Sequence, residues 1–183
     1  MKFIHLDRGV STVIGCTSRY PCPNAIAELS THTISIFVPM FKQTVQIRWA
    51  DIDANRHLRH SVYYDYGASM RMNALTAEGL SMKKLEELMM GPVLFREEAI
   101  FKREIMFEDI ITINVEVVKA RADFARWSLR HHFTKADGTV AAVLNIDGAW
   151  IDLEKRKLAV PGDFIIHVFE KFPKAADFEM IVR

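Results

Sequence analysis

Asp51, Asp53, Asn55, His57 and His60 fall within ten residues, and nowhere else in the chain is titratable chemistry so dense. A carboxylate in such a cluster can attack an acyl carbon or take a proton from water, while imidazoles and an amide orient the reactants. If a helix begins just after it, the unpaired N–H groups of the first turn can stabilise a developing oxyanion. That combination suits acyl transfer. The same residues also fit a plainer role, with Asp53 or Asn55 capping the helix and the histidines solvated.

The flanking sequence supplies the elements that would hold the cluster. From Lys42 to Trp49, Val45, Ile47 and Trp49 alternate with Gln46 and Arg48, the period of a half-buried strand running into Asp51. From Ser61 to Glu78, Val62, Tyr66, Met70, Ala74 and Ala77 recur at helical spacing, and Gly79 follows as a stop. Gly67 inside this helix costs about 1 kcal/mol relative to alanine unless another backbone packs against it. Ser81 is placed to cap a short second helix ending near Met89.

Strands are predicted over Val93–Arg103, Ile110–Lys119, Phe124–Thr134 and Thr139–Leu153, with Asp137-Gly138 as a hairpin turn between the last two. Trp127, Leu129, His131 and Phe133 share one face. His131 and His132 point to opposite faces, so they do not share a metal. Of Glu97 and Glu98 one faces inward, as a second acid or, more simply, a partner for Arg103. Met70, Met72, Met82, Met89 and Met90 read as core and interface packing or as a pliable acyl pocket. The tail holds a short helix, Asp163–Lys171, before a polar end. One strand, one long helix and four strands give an α+β class, an antiparallel sheet curled around a single helix.

Bulk properties narrow the field. Twenty-four basic and twenty-three acidic residues, spread along the chain, leave no basic stripe for nucleic acid. No apolar run approaches the roughly 20 residues that span a bilayer. Cys16 and Cys22 both lie in the first 25 residues, so the body has no thiol for a disulfide or metal site. Asp7 and Arg8 interrupt the start of any secretory signal, and the apolar core before Cys16 is too short for lipidation. A cytoplasmic location is expected. Residues 1–39, with Pro21, Pro23 and Pro39, read as an irregular extension with one candidate strand, Thr33–Val38, and residues 40–183 as the domain.

The stretch Ile47–Tyr66 resembles the active-site segment of hotdog-fold acyl-thioesterases. In the bacterial branch, similar to 4-hydroxybenzoyl-CoA thioesterase, the pattern is Asp-x-Asp, a glycine three residues on, a polar or aromatic residue four further and a tyrosine near the helix start. Asp51-Ile52-Asp53, His60 and Tyr63 match it, with Arg56 at the glycine position. In the plant acyl-carrier-protein branch the pattern is Asp-x-Asn-x-His-Val-Asn-Asn. Asp53, Asn55 and His57 match its named residues, with Leu58 for valine and Arg59-His60 for the asparagines.

The resemblance implies a hotdog fold, an antiparallel sheet wrapped around one long central helix, and hydrolysis of an acyl-CoA or acyl-ACP. It implies Asp53 as the catalytic carboxylate, with Asn55, His57 and His60 positioning reactants and amides near Ser61 holding the oxyanion. Tyr63 is expected at the substrate, and Arg56 at a phosphate of coenzyme A or in solvent. No metal or other cofactor is expected. Acyl sites in this family imply a homodimer or homotetramer. Two rivals remain: a hotdog enoyl-CoA hydratase, in which the histidine stands one residue later than His57, and a non-catalytic acyl-CoA-binding scaffold closed by Arg56.

Overall fold

A computed structural model describes residues 41–181. The extension 1–39, with Cys16, Cys22 and the candidate strand Thr33–Val38, lies outside the described residues. The elements are β1 (Lys42–Gln46), α1 (His60–Ala77), α2 (Met82–Glu87), β2 (Met90–Phe101), β3 (Ile110–Asn114), β4 (Glu116–Arg121), β5 (Arg126–Lys135), β6 (Val140–Asp152), β7 (Lys157–Leu158), α3 (Asp163–Glu170) and β8 (Lys174–Ile181).

The sheet is built outward from β5 and β6, joined at the Asp137-Gly138 turn, where Gly138 takes φ 86°. β2 pairs antiparallel with the far side of β6, β3 and β4 pair with successive halves of β5, and β1 lies beyond β3. Trp127, Leu129, His131 and Phe133 are all buried on one face, as the alternation requires.

α1 lies on that face and touches β1, β2, β3 and β6. It buries Val62, Tyr63, Gly67, Met70, Ala74 and Leu75, while Tyr66 and Ala77, expected inside, are half-buried. A Cβ at Gly67 would run into the Leu144 side chain, so the space is taken by a β6 side chain and not by the backbone that was expected. The helix ends as Gly79, at φ 88°, donates to Thr76 O (3.0 Å) and Leu80 donates to Leu75 O (2.9 Å), a paired closure that satisfies two terminal carbonyls. Ser81 caps α2, its Oγ accepting from Lys84 N at 3.2 Å.

Four expectations need correction. The first strand stops at Gln46, and a 3-10 turn, Trp49–Asp51, leads to the site; Trp49 is 73% exposed rather than in the core. Ile110–Lys119 is two strands, because Val115 N turns to Phe41 O (3.0 Å) and the Asn114 side chain takes the amide of His132 (2.6 Å). The polar end is a strand: β8 pairs parallel with β4. Glu97 does face inward, yet its partner is Arg71, not Arg103, at 3.0 Å. Among the methionines, Met70 and Met90 are core, while Met82 is 67% exposed. No described helix is long and apolar enough to cross a membrane.

Candidate active site

Asp53 folds its own loop. Its Oδ1 accepts from the amides of Asn55 (2.8 Å) and His57 (3.1 Å), and its backbone N–H donates to His57 O at 2.9 Å. A short aspartate side chain can close a turn in this way because its oxygen mimics a backbone carbonyl. The turn also requires a left-handed residue, and Arg56 provides it at φ 67°. Glycine would adopt that conformation without a Cβ clash, so Arg56 holds it at a cost of about 1 kcal/mol. The loop thus keeps, with an arginine, a backbone conformation suited to the glycine of the family pattern.

Asp51, two residues earlier, is occupied differently. Its carboxylate is buried, takes two hydrogen bonds from Arg48 (2.9 and 2.8 Å) and one from the Tyr66 hydroxyl (2.7 Å). The Arg48 hydrogen bond holds its pKa below the usual carboxylate value against the opposing cost of burial. Its backbone oxygen accepts from Arg59 N at 2.9 Å, which fixes the start of α1 relative to the turn. Asp51 therefore anchors the frame, while Asp53 Oδ2 has no hydrogen-bond partner among the described residues.

Beside Asp53 lies an open cleft of about 370 Å³ lined by His57, Leu58, His60, Tyr63 and the segment Phe101–Glu104. Leu58 N donates to Ile105 O at 2.8 Å and His57 pairs with Met106, so the cluster is stitched to the chain that follows β2. His57 Nε2 stands 3.4 Å from Glu104. Tyr63 is buried against Phe101 and Phe133, with ring centroids 4.9 and 5.3 Å away, and burial pushes its hydroxyl up to about 12. The N-cap residue Arg59 gives α1 no side-chain cap, so amides of the first turn at His60 and Ser61 end the helix next to this cleft without a side-chain acceptor among the described residues.

The expected residues thus separate into two groups. Asp53, His57, His60 and Tyr63 share the cleft; Asn55, Arg56 and Ser61 are exposed and do not line it. Phe101, Lys102, Arg103 and Glu104 join it from about fifty residues away, and the only sequence signal was a strand ending in a charged run.

Further along α1 a second polar group lies under the helix. His131 is fully buried and its Nδ1 donates to Asn114 O at 2.6 Å, since a carbonyl can only accept. Its Nε2 is left to accept from Arg71 Nη1 at 3.4 Å. Burial lowers the imidazole to about 3, so it is neutral. Arg71 carries its other contact to Glu97, joining α1 to β2.

Comparison with known proteins gives a consistent picture. A family model described as thioesterase-like superfamily matches residues 47–176. No curated protein matches. Among solved structures, a hypothetical protein from Staphylococcus aureus in complex with CoA is 22% identical, with a TM-score of 0.66 over 74% of this chain and 87% of that one. A 1,4-dihydroxy-2-naphthoyl-CoA thioesterase from Synechocystis is 17% identical, with a TM-score of 0.65 over 72% of this chain and 96% of that one. A DHNA-CoA thioesterase from Staphylococcus aureus is 15% identical, with a TM-score of 0.59 over 65% and 78% of the two chains. At these identities the likeness establishes the hotdog fold.

Proposed function

Because the chain belongs to the thioesterase-like superfamily, we propose that it hydrolyses an acyl-CoA or acyl-ACP to the free acid and thiol. The observation that carries this reading is the division of labour within Asp53. One oxygen holds the turn through the amides of Asn55 and His57, while the other has no partner among the described residues and lies beside a cleft at a helix N-terminus. A carboxylate held in this way can activate water or attack the thioester carbon directly. First-turn amides at His60 and Ser61 would take the charge that develops on the carbonyl oxygen. The thiolate then leaves and takes up a proton; on the direct route water next cleaves the Asp53 acyl anhydride to the free acid, and on the water route the proton that Asp53 removed from water is the one returned.

His57 and His60 would orient water and carbonyl from the cleft walls. Asn55 acts through the turn, because its amide, not its exposed side chain, meets Asp53. Arg56, exposed on the turn, suits a phosphate of coenzyme A, a role the CoA complex of a structural relative makes natural. The reading needs no metal or redox cofactor. The reading includes a homodimer or homotetramer, supported by β2, which pairs on one side only among the described residues. That edge exposes Leu94, Phe95, Ile100 and Phe101 by 39–55%, and a second copy would cover it.

The test is thiol release from a panel of acyl-CoAs by wild type, Asp53→Ala and Asp53→Asn. We expect turnover by wild type and its loss in both variants; turnover that survives both removes Asp53 from the mechanism. Water addition to crotonyl-CoA without thiol release would replace hydrolysis by hydration, and acyl-CoA binding without turnover would leave a scaffold.

A further inference from the structure

α1 leads from the cleft to a second cavity. A chamber of about 150 Å³ lies between the C-terminal half of α1, the sheet and α3, walled by Met72, Leu75, Leu129, Trp127, Trp150 and Phe169. Among the described residues Arg71 is the one charged side chain on its wall, and its guanidinium is drawn aside to Glu97 and His131. Ala68, Pro92 and Leu94, all exposed, form its mouth along the β2 edge.

We propose that this chamber is the subsite for the methyl end of an unbranched acyl chain, a reading that rests on the thioester hydrolysis proposed above. Its size matches a dry apolar cavity that takes a benzene-sized guest, and so a short run of methylenes. The cleft residue Tyr63 and the chamber residue Met72 are separated by about 14 Å along the helix axis. A ring joined directly to the thioester carbonyl is too short and rigid to span this interval, whereas an alkyl chain can follow the α1–β2 seam. The chain would pass over Arg71 and Glu97, whose charges are already matched to each other, so it meets no unpaired ion on the way. Each methylene entering the aromatic chamber leaves water, which makes long chains the better substrates.

The walls provide a probe that does not depend on catalysis. Trp127 and Trp150 line the chamber and Trp49 is the remaining tryptophan, so Trp49→Phe protein reports the chamber alone. We expect 12-bromododecanoate, a product analogue with bromine at the chain end, to quench its emission about threefold more than 2-bromododecanoate does, the heavy atom being held in the pocket only in the first. Ala68→Phe, at an exposed position on the mouth, should lower kcat/KM for dodecanoyl-CoA about tenfold and leave butanoyl-CoA unchanged. Equal quenching by the two acids, or equal loss for both chain lengths, overturns the subsite even if thiol release is found. Selective quenching without any thiol release keeps the subsite and removes the hydrolase.

Discussion

The turn at Asp53 and the crossing of α1 over the sheet at Gly67 obey opposite rules. At the turn, Asp53 has an oxygen to spare, Arg56 sits in a strained conformation and the neighbouring histidines reach solvent. At the crossing, Leu144 fills the space a Cβ would need, and His131 has both ring nitrogens engaged. Unused valence marks the place where a reactant can be bound, and complete satisfaction marks the place that keeps the frame still.

Substitutions can break or sharpen that contrast. The largest effect should come from Asp53→Asn, which keeps the turn oxygen and removes the base: we expect kcat to fall about 10²–10⁴-fold with little change in the urea midpoint. Gly67→Ala should do the reverse. The helix gains about 1 kcal/mol of propensity but the new methyl meets buried Leu144, and we expect a net loss of about 2 kcal/mol by urea unfolding. Unchanged stability would show that the crossing has slack.

The crossing should also be acid-sensitive through His131. Its folded pKa, about 3, lies below the ordinary histidine value of 6.5. Below pH 6.5 the unfolded chain therefore takes up a proton that the folded chain refuses, and stability falls as pH drops toward 3. We expect His131→Gln to flatten that part of the urea-midpoint profile, by on the order of 2 kcal/mol at about pH 5. The smallest effect should be at Arg56: Arg56→Gly relieves the left-handed strain and should raise stability by up to about 1 kcal/mol. If Arg56 also meets a coenzyme A phosphate, the same variant raises KM without lowering kcat.

The legible parts of the sequence were those set by local periodicity. α1, its Gly79 stop, the Ser81 cap and the β5–β6 turn each depend on residues close in sequence. What escaped depends on distant partners. Trp49 continued a period-two pattern that the Arg48–Asp51 and Tyr66–Asp51 bonds cut short. The break at Val115 exists because Phe41 and His132 claim the groups around it. Among the described residues β8 borders only one neighbour, and it is largely exposed, so it carries no core-facing alternation. At the site, residue types singled out the Asp53 turn, but the wall from Phe101 to Glu104 reached it only through tertiary contacts.

The stitch between Leu58 N and Ile105 O has a consequence for the order of folding. It closes a loop of some fifty residues, and β1 meets β3 at a separation larger still, from Lys42 to Asn114. The β5–β6 hairpin, by contrast, closes locally, and contacts of high sequence separation carry the greater entropic penalty before they are rewarded. We expect the hairpin to assemble early and the Asp53 turn to take its working shape among the last events. In a refolding experiment, protection of the β6 amides would then precede recovery of thiol release.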